Sequence, residues 1–404
     1  MTIERHEPSA GRFGALALVT GAGLVNYIDR VTLSVAGPTM AHELHLSATE
    51  LGLLLSAFLW AYAAAQAPVG ALTDRLGPRP LLGAAMALWS AAQMAMGLAT
   101  GLPQLIGARL ALGLGEAPQW PVGARVVRAW FPAAQRGWAM GVVNTASTLA
   151  PALAPPVVTV LMLTVGWRGA FLATGAGGLV AAGLWLALYR DRAESAEVAA
   201  PRTPLRRLLA QPPLWAMTLG NAGSGYMNWF YAAWLPGYLQ LERHFSVPKT
   251  GWAASIPFFC GFLGSLTGGW ACDRLAAAGL APIASRKAPI VAGLVGGGVF
   301  TGLAIVAPSD LTAIACVSAA VFCANLAGAA IWALAIAAAP RGATAQVGAV
   351  QNVGGLVGGA LAPIVTGVSV SATHTFGEAM AITALVALGA AAIYALAVRR
   401  EIEP

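Results

Sequence analysis

The chain is built from long apolar runs separated by short polar stretches, a pattern that predicts helices spanning a membrane. The runs from Leu81 to Thr100 and from Ala379 to Val398 contain no charged residue. About 20 such residues cross a hydrocarbon core about 30 Å thick when they are helical. Strands of a membrane barrel would alternate apolar and polar residues over shorter segments, whereas these runs are apolar on every face.

Segmentation of the whole sequence on this basis predicts twelve helices. The longest polar connection, at about 190–213, divides them into six and six. We therefore predict an all-α membrane protein with an N-terminal six-helix bundle at 1–190, a cytoplasmic linker at 191–212 and a C-terminal six-helix bundle at 213–404. The predicted helix cores lie at about 13–40, 49–71, 80–99, 102–130, 137–164, 168–189, 213–240, 250–272, 287–307, 311–338, 343–370 and 377–398.

Composition excludes a soluble domain. Apolar residues make up 58% of the chain and charged residues 10%, against about 45–50% and about 25% in soluble domains. Glycine is abundant as well, with 48 residues. Small residues at this density are typical of membrane helices that approach one another closely.

The formal charge of +7 reflects topology rather than nucleic-acid binding. If the N-terminus is cytoplasmic, only Arg168, Arg243 and Lys249 of the 23 basic residues fall in loops on the far side of the membrane. Lysine and arginine concentrate in cytoplasmic loops of membrane proteins. We expect a multi-pass inner-membrane protein with both termini in the cytoplasm.

The two halves of the sequence contain similar motifs at corresponding positions. The stretch from Gly70 to Leu76 after helix 2 resembles the stretch from Gly269 to Leu275 after helix 8. Asn144 precedes an Ala-Leu-Ala-Pro motif in helix 5, and Asn352 precedes the same motif at the same offset in helix 11. A duplicated six-helix unit explains both similarities and predicts a substrate cavity near the membrane midplane, between the halves.

These motifs resemble the major facilitator superfamily, whose loop signature matches Gly70, Asp74, Arg75, Gly77 and Arg79. The chain also resembles the anion:cation symporter branch, which includes bacterial permeases for hexuronate, galactonate, glucarate and phthalate and the animal vesicular glutamate and sialic acid carriers. The resemblance implies two pseudo-symmetric six-helix bundles and a bacterial carrier rather than an enzyme. The segments that match this branch are Asn26 to Arg30, Arg109 to Pro121, Trp130 to Gly137, Trp234 to Tyr238 and Asn352 to Pro363.

Four charged residues are predicted to lie deep in the membrane, all of them in the first half: Asp29, Arg30, Arg109 and Glu116. Each costs at least about 2.5–3.5 kcal/mol at mid-helix on insertion scales, so each needs a partner or a wet cavity. The guanidinium of Arg30 matches a carboxylate through two donors and is the candidate for binding an anionic substrate. The alternative is a structural ion pair between Arg30 and an acid of a neighbouring helix.

Asp29 and Glu116 are the candidates for carrying the coupling proton, because a carboxyl that gains or loses an arginine partner changes its affinity for a proton. Arg109 and Glu116 lie about 10 Å apart on one face of helix 4, which favours contact between Arg109 and Asp29 and leaves Glu116 near the substrate. A static pair that joins helices 1 and 4 is the alternative. In the family that the chain resembles, Asp29 and Glu116 would take up protons, and Arg30 and Tyr27 would contact substrate.

Neutral contacts are predicted from both halves. Asn352 gives the second half a hydrogen-bond partner for a ligand that bridges the halves, and Asn144 and Ser147 would serve a hydroxyl-rich substrate. Trp234, in an aromatic stretch of helix 7, is a candidate for the substrate site, and anchoring at the membrane interface is the alternative.

Two pairs of charges lie at the cytoplasmic ends of helices. Asp74 and Arg75 follow helix 2, and Asp273 and Arg274 follow helix 8. Charges at helix ends can hold a face closed and then release it. We expect a cytoplasmic gate made by these four residues.

The coupling ion is expected to be the proton, with no cofactor and no metal. The sequence contains no Walker motif, no zinc-binding His-Glu-x-x-His and no Gly-x-Ser-x-Gly nucleophile motif. We therefore predict a monomeric, proton-coupled symporter of a small organic anion, in contact with membrane lipid. The alternatives are an antiporter of drugs or metabolites with the same fold and a non-transporting membrane sensor. The substrate is a sugar acid, a dicarboxylate or an aromatic acid, and the sequence leaves this choice open.

Overall fold

A computed structural model describes residues 9–192, 204–340 and 342–402. These residues form helices joined by short turns and contain no strand, as predicted for an all-α fold. The helices are α1 (Ser9–Glu43), α2 (Ala48–Leu76), α3 (Pro78–Leu98), α4 (Leu102–Glu116), α5 (Gln119–Trp130), α6 (Ala133–Leu188), α7 (Leu205–Leu209), α8 (Pro212–Leu241), α9 (Val247–Ala277), α10 (Pro282–Ile305), α11 (Asp310–Ala338), α12 (Thr344–Thr373) and α13 (Gly377–Ala397).

Three predicted helices, the fourth, fifth and sixth, have a different form in the structure. The fourth is broken into α4 and α5 at Ala117 and Pro118, because proline lacks the amide hydrogen that would continue the helix. The predicted helices 5 and 6 are both contained in α6, which changes direction at Gly166, a residue with a φ of 72°. Counted as crossings, the described helices therefore make the twelve predicted spans.

Length and apolar composition alone identify seven membrane-spanning helices among the described residues. Helices α1 and α4 are not among the seven, and they carry the four deep charges. The short helix α7 falls in the predicted linker, most of whose other residues lie outside the described ranges. The bounds of the two bundles and of the linker stay a prediction.

One face of α9 shows how the protein meets the bilayer. Trp252 and Trp270 are exposed at its two ends, separated by a rise of about 27 Å at about 1.5 Å per residue. This length is close to the thickness of a hydrocarbon core, and tryptophan concentrates at both membrane interfaces. The exposed side chains between the two tryptophans are all large and apolar: Ile256, Phe259, Leu263 and Leu266.

Packing divides the molecule into a first half (9–192) and a second half (204–402). Helix α1 starts at the side where α13 ends, here called the terminal side, and ends at the opposite, far side. One apolar cluster contains residues of both halves near the far side, among them Met40, Leu51 and Phe376. Near the terminal side, one cluster lies almost wholly in the first half and another wholly in the second. The halves are therefore joined at the far side and separate toward the terminal side.

Helices α2 and α12 make a close contact between the halves. A Cβ atom added at Gly52 would overlap the carbonyl oxygen of Pro363 and stand 3.2 Å from the Cα of Gly367. The hydroxyl of Ser56 donates a hydrogen bond of 2.5 Å to the carbonyl oxygen of Ala360. We call this contact, made by Gly52 and Ser56 with Ala360, Pro363 and Gly367, the far-side clasp.

Candidate functional site

The centre of the site is an ion pair between α1 and α4. The Nε atom of Arg30 donates to Oε2 of Glu116 at 2.6 Å. The Glu116 side chain is fully buried and the Arg30 side chain is 9% exposed. The pair thus matches the alternative in which Arg30 binds an acid of a neighbouring helix, and it occupies Nε while Nη2 of Arg30 has no hydrogen-bond partner.

Glycines of α4 explain how Glu116 reaches this depth. Gly113 packs so closely on α2 that an added Cβ atom would overlap the carbonyl oxygen of Phe58. Gly115 packs on α3, where a Cβ would stand 2.9 Å from the backbone nitrogen of Trp89. Helix α4 therefore fits tightly between its neighbours, and its last residue, Glu116, is inserted next to α1.

Three aromatic rings surround the Arg30 guanidinium. Its central carbon lies 4.7 Å from the ring centroid of Tyr27, 4.6 Å from that of Phe58 and 5.2 Å from that of Tyr62. Aromatic faces attract cations at such distances, more strongly where water is excluded. Tyr27 was predicted from the sequence, whereas Phe58 and Tyr62 were missed. Their spacing of four residues on α2, which places both rings on one helix face, was the available signal.

The expected contact between Asp29 and Arg109 is not formed, and this part of the prediction was wrong for the conformation described. Both carboxylate oxygens of Asp29 lack a hydrogen-bond partner, and so do Nε and Nη1 of Arg109. The guanidinium carbon of Arg109 instead lies 5.2 Å from the Phe58 ring. Asp29 is fully buried, and Gln93 donates to its backbone oxygen at 3.4 Å. The acid that bonds to an arginine is therefore Glu116, and its partner is Arg30.

The predicted neutral residues occupy different environments. Asn144 is exposed, and its backbone oxygen accepts a hydrogen bond from Ser147 at 2.8 Å. Asn352 in the second half is half-buried. Trp234 is only 1% exposed, and its indole nitrogen donates to the carbonyl oxygen of Pro363 at 3.2 Å. The structure therefore places Trp234 in the packed far-side core rather than beside the ion pair.

The predicted gate residues lie at the terminal side, where the halves are separate. The side chain of Asp74 lies outside the part of the chain that is described. Arg75, Asp273 and Arg274 are exposed, and none of the three forms an ion pair with another described residue. Their role in closing this side stays a prediction for a conformation in which the halves meet there.

Asn26 is a buried residue next to the ion pair that sequence reasoning did not single out as a site residue. Its side chain is fully buried on α1, and neither its amide nitrogen nor its amide oxygen has a hydrogen-bond partner. Buried amides are rarely left in this state, because each unsatisfied group costs about 1–3 kcal/mol. Asn26 therefore places polar groups beside the ion pair to which water or a polar ligand can bind.

Comparison with known proteins identifies the family of the chain. The model of the Major Facilitator Superfamily matches residues 19–363. The chain is 40% identical over 405 residues to the probable L-galactonate transporter of Escherichia coli K12, which covers 96% of this chain and 89% of that protein. It is 31% identical over 397 residues to the hexuronate transporter of Bacillus subtilis 168, with 95% and 93% covered.

A second Escherichia coli K12 relative, the probable galactarate/D-glucarate transporter, is 31% identical over 417 residues, with 95% of this chain and 94% of that protein covered. The fold is similar to the crystal structure of a bacterial homologue of the human lysosomal transporter Spinster, in an inward-facing and unoccupied conformation. The TM-score is 0.85 at 20% identity, with 97% and 98% of the two chains covered. Motifs, fold and relatives agree that the chain is a multi-pass membrane transporter, not an enzyme, and belongs to the anion:cation symporter branch of the Major Facilitator Superfamily.

Proposed function

We propose that this transporter imports a small sugar-acid anion together with protons. The relatives are named for galactonate, galactarate or glucarate, and hexuronate, all of which are hydroxylated carboxylates. These names favour a sugar acid over an aromatic acid. The ion pair between Arg30 and Glu116 carries the proposal, because it supplies both an anion-binding group and a means of coupling.

Competition for Arg30 links the anion to the proton. A substrate carboxylate that binds Nε and Nη2 of Arg30 together needs the Nε that Glu116 occupies, so bidentate substrate binding displaces Glu116. A buried carboxylate without a partner is strongly unfavourable. Taking up a proton removes that charge, and substrate binding and proton binding therefore strengthen each other. Asp29, buried and without a hydrogen-bond partner for its carboxylate, is the second proton-carrying candidate, and Arg109 is the cation that would modulate it.

The remaining contacts are assigned to the hydroxyl groups of the substrate. Tyr27, Asn144 and Ser147 belong to the first half and Asn352 to the second, so a bound sugar acid would bridge the two. A ligand that bridges the halves stabilises their approach, as transport by alternating access requires. We expect the transporter to act as a monomer surrounded by lipid.

Orientation follows from the distribution of basic residues. With both termini in the cytoplasm of a bacterial inner membrane, the terminal side is cytoplasmic and the far-side clasp closes the periplasmic side. The conformation described is then inward-facing. The gate of Asp74, Arg75, Asp273 and Arg274 would close in the opposite state.

Uptake of radiolabelled L-galactonate into proteoliposomes tests the proposal. An inward proton gradient should drive accumulation by the wild-type protein. In Arg30→Lys the charge remains but the planar fork is lost. Loss of one charged hydrogen bond, about 1.5–3 kcal/mol, weakens galactonate binding roughly 10- to 150-fold. A matched control is Lys249→Gln, which removes an exposed ion pair with Asp310 on the far side and should leave uptake unchanged.

The variant Glu116→Gln separates coupling from binding. It keeps the shape of the side chain but carries neither charge nor a transferable proton, so counterflow of galactonate should persist while accumulation driven by protons is lost. Equal loss of both activities would assign Glu116 a structural role. Accumulation that ignores the proton gradient would refute symport, proton-driven export would identify an antiporter, and binding without flux would identify a sensor.

A further inference from the structure

Phe58 on α2 contacts both buried arginines. Its ring centroid lies 4.6 Å from the guanidinium carbon of Arg30 and 5.2 Å from that of Arg109, and the side chain is fully buried. Two like charges thus share one aromatic ring in a site from which water is largely excluded. The ring attracts both cations, so its position influences where each guanidinium lies.

The backbone of Phe58 is held against the helix that carries Arg109 and Glu116. Gly113 allows this approach, since any larger residue there would overlap the Phe58 carbonyl oxygen. Gly113 is four residues after Arg109 and three before Glu116, a spacing that places all three on neighbouring positions of one helix face. The Phe58 ring is therefore fixed at the level of the charged residues of α4.

Glu116 interacts electrostatically with two arginines but forms a hydrogen bond with only one of them. Both guanidiniums interact with its charge, yet only Arg30 donates a hydrogen bond to it, while Nε and Nη1 of Arg109 have no partner. Arg109 and Glu116 lie about 10 Å apart along the same helix, so the competing pair forms only if the Arg109 side chain extends along α4 toward Glu116. The contact of Arg109 with Phe58 opposes that extension.

Phe58 also touches the second half. The centroids of Phe58 and of Trp229 on α8 are 6.3 Å apart, with an angle of 38° between the ring planes. The indole of Trp229 packs on α12, where a Cβ added at Gly359 would overlap its ring. The ring that contacts both arginines is thus held on the opposite side by the half of the protein that carries no deep charge.

We propose that Phe58 is a positioning residue for the ion pair: its ring holds Arg109 away from Glu116, so that Glu116 stays bound to Arg30, and its contact with Trp229 makes this arrangement depend on how the two halves meet. This inference rests on the proposed function only where the readout is galactonate binding or transport. Under this proposal, the aromatic ring of Phe58 determines whether Glu116 pairs with Arg30 or with Arg109.

A double-mutant cycle between Phe58→Leu and Glu116→Gln tests this role. In Phe58→Leu the ring is lost, Arg109 reaches Glu116, and Arg30 is released for the substrate. Calorimetric titration with L-galactonate should then show binding about fivefold tighter or more, while accumulation driven by a proton gradient falls. In the Glu116→Gln background the same leucine substitution should change the dissociation constant much less, because only the direct contact of the ring with Arg30 is then lost.

Two controls separate this role from general packing. Phe171→Leu removes a fully buried phenylalanine that packs on Trp167 in the same half and should change neither galactonate affinity nor coupling. Replacement of Phe58 by trifluorophenylalanine nearly preserves ring shape but weakens the attraction for cations, so it should shift affinity in the same direction as leucine. An equal effect of Phe58→Leu in both backgrounds, or no effect of fluorination, would overturn the proposal.

The proposal remains testable if galactonate is not a ligand. The same four proteins are compared by their thermal unfolding temperatures in detergent, where positioning predicts that the effects of Phe58→Leu and Glu116→Gln do not add. Additive shifts would refute the role of Phe58. Failure of the wild-type protein to bind or accumulate galactonate, together with non-additive shifts, would reject the proposed substrate and keep the positioning role.

Discussion

The far-side clasp predicts that a single methyl group shifts the balance between the two conformations of the transporter. A Cβ at Gly52 would overlap the carbonyl oxygen of Pro363, so in Gly52→Ala the helices α2 and α12 must move apart by about 1 Å to restore a normal separation of about 3.5 Å. Overpacking of this kind costs about 1–3 kcal/mol. The cost applies only while the far side is closed.

The shift expected from this energy is large enough to measure. A bias of about 1–3 kcal/mol changes the ratio of the two conformations by roughly 5- to 150-fold, in favour of the state that is open at the far side. Spin labels on cysteines at Leu98 and Val306, which are exposed near the far side in the first and second halves, report this opening as a longer distance in pulsed electron resonance. The measurement requires a protein whose four native cysteines have been replaced.

Two further variants test the reasoning for Gly52. Gly367→Ala places a methyl group against the carbonyl oxygen of Ala48 across the same contact, so it should lengthen the distance in the same direction. Gly302→Ala is the matched control, because a Cβ there meets no atom within 4 Å. Unchanged distances in Gly52→Ala, or an equal shift in Gly302→Ala, would show that the clasp does not hold the far side closed.

Three more substitutions have defined outcomes. Ser56→Ala removes the hydrogen bond to the Ala360 carbonyl oxygen, which is worth about 0.5–1.5 kcal/mol. In the same spin-label assay it should open the far side less than Gly52→Ala does, and a larger opening than that of Gly52→Ala would contradict this order. Trp234→Phe removes the bond to Pro363 and should lower the unfolding temperature without changing KM for galactonate, whereas a raised KM would place Trp234 in the substrate site. Asn352→Ala should raise KM for galactonate more than for a carboxylate of equal length without hydroxyl groups, and an equal rise would exclude hydroxyl recognition by this residue.

The sequence predicted the helices well because each span needs only a long apolar run. It did not predict the break at Ala117 and Pro118, since proline is common within membrane helices and α12 continues through Pro363 without one. It did place the turn between the predicted helices 5 and 6 at 165–167, where α6 changes direction at Gly166. The break in the fourth helix depends on which backbone groups find partners in neighbouring helices, and such information is not local to the sequence.

The charged residues of the site were identified correctly as buried, but their pairing was not. Helical spacing puts Arg109 and Glu116 on one face of α4 and leaves both near α1. Which of them meets Arg30 or Asp29 depends on the depth and rotation of α4, and these are set by Gly113 and Gly115 against α2 and α3. Phe58 was missed for a related reason: within an apolar run, a phenylalanine that touches two cations looks the same as one that touches lipid.

Helix α2 physically connects the clasp to the ion pair. Gly52 and Ser56, four residues apart, face α12 across the far side, whereas Phe58 faces α1 and α4 and contacts Arg30 and Arg109. A helix is stiff over six residues, so opening the clasp cannot move Gly52 without displacing the Phe58 ring. The partner choice of Arg30 and the closure of the far side are therefore two consequences of one helix position. In the proposed mechanism the second half takes part in coupling without any predicted deep charge of its own, because it acts on the arginines through the surface of α2.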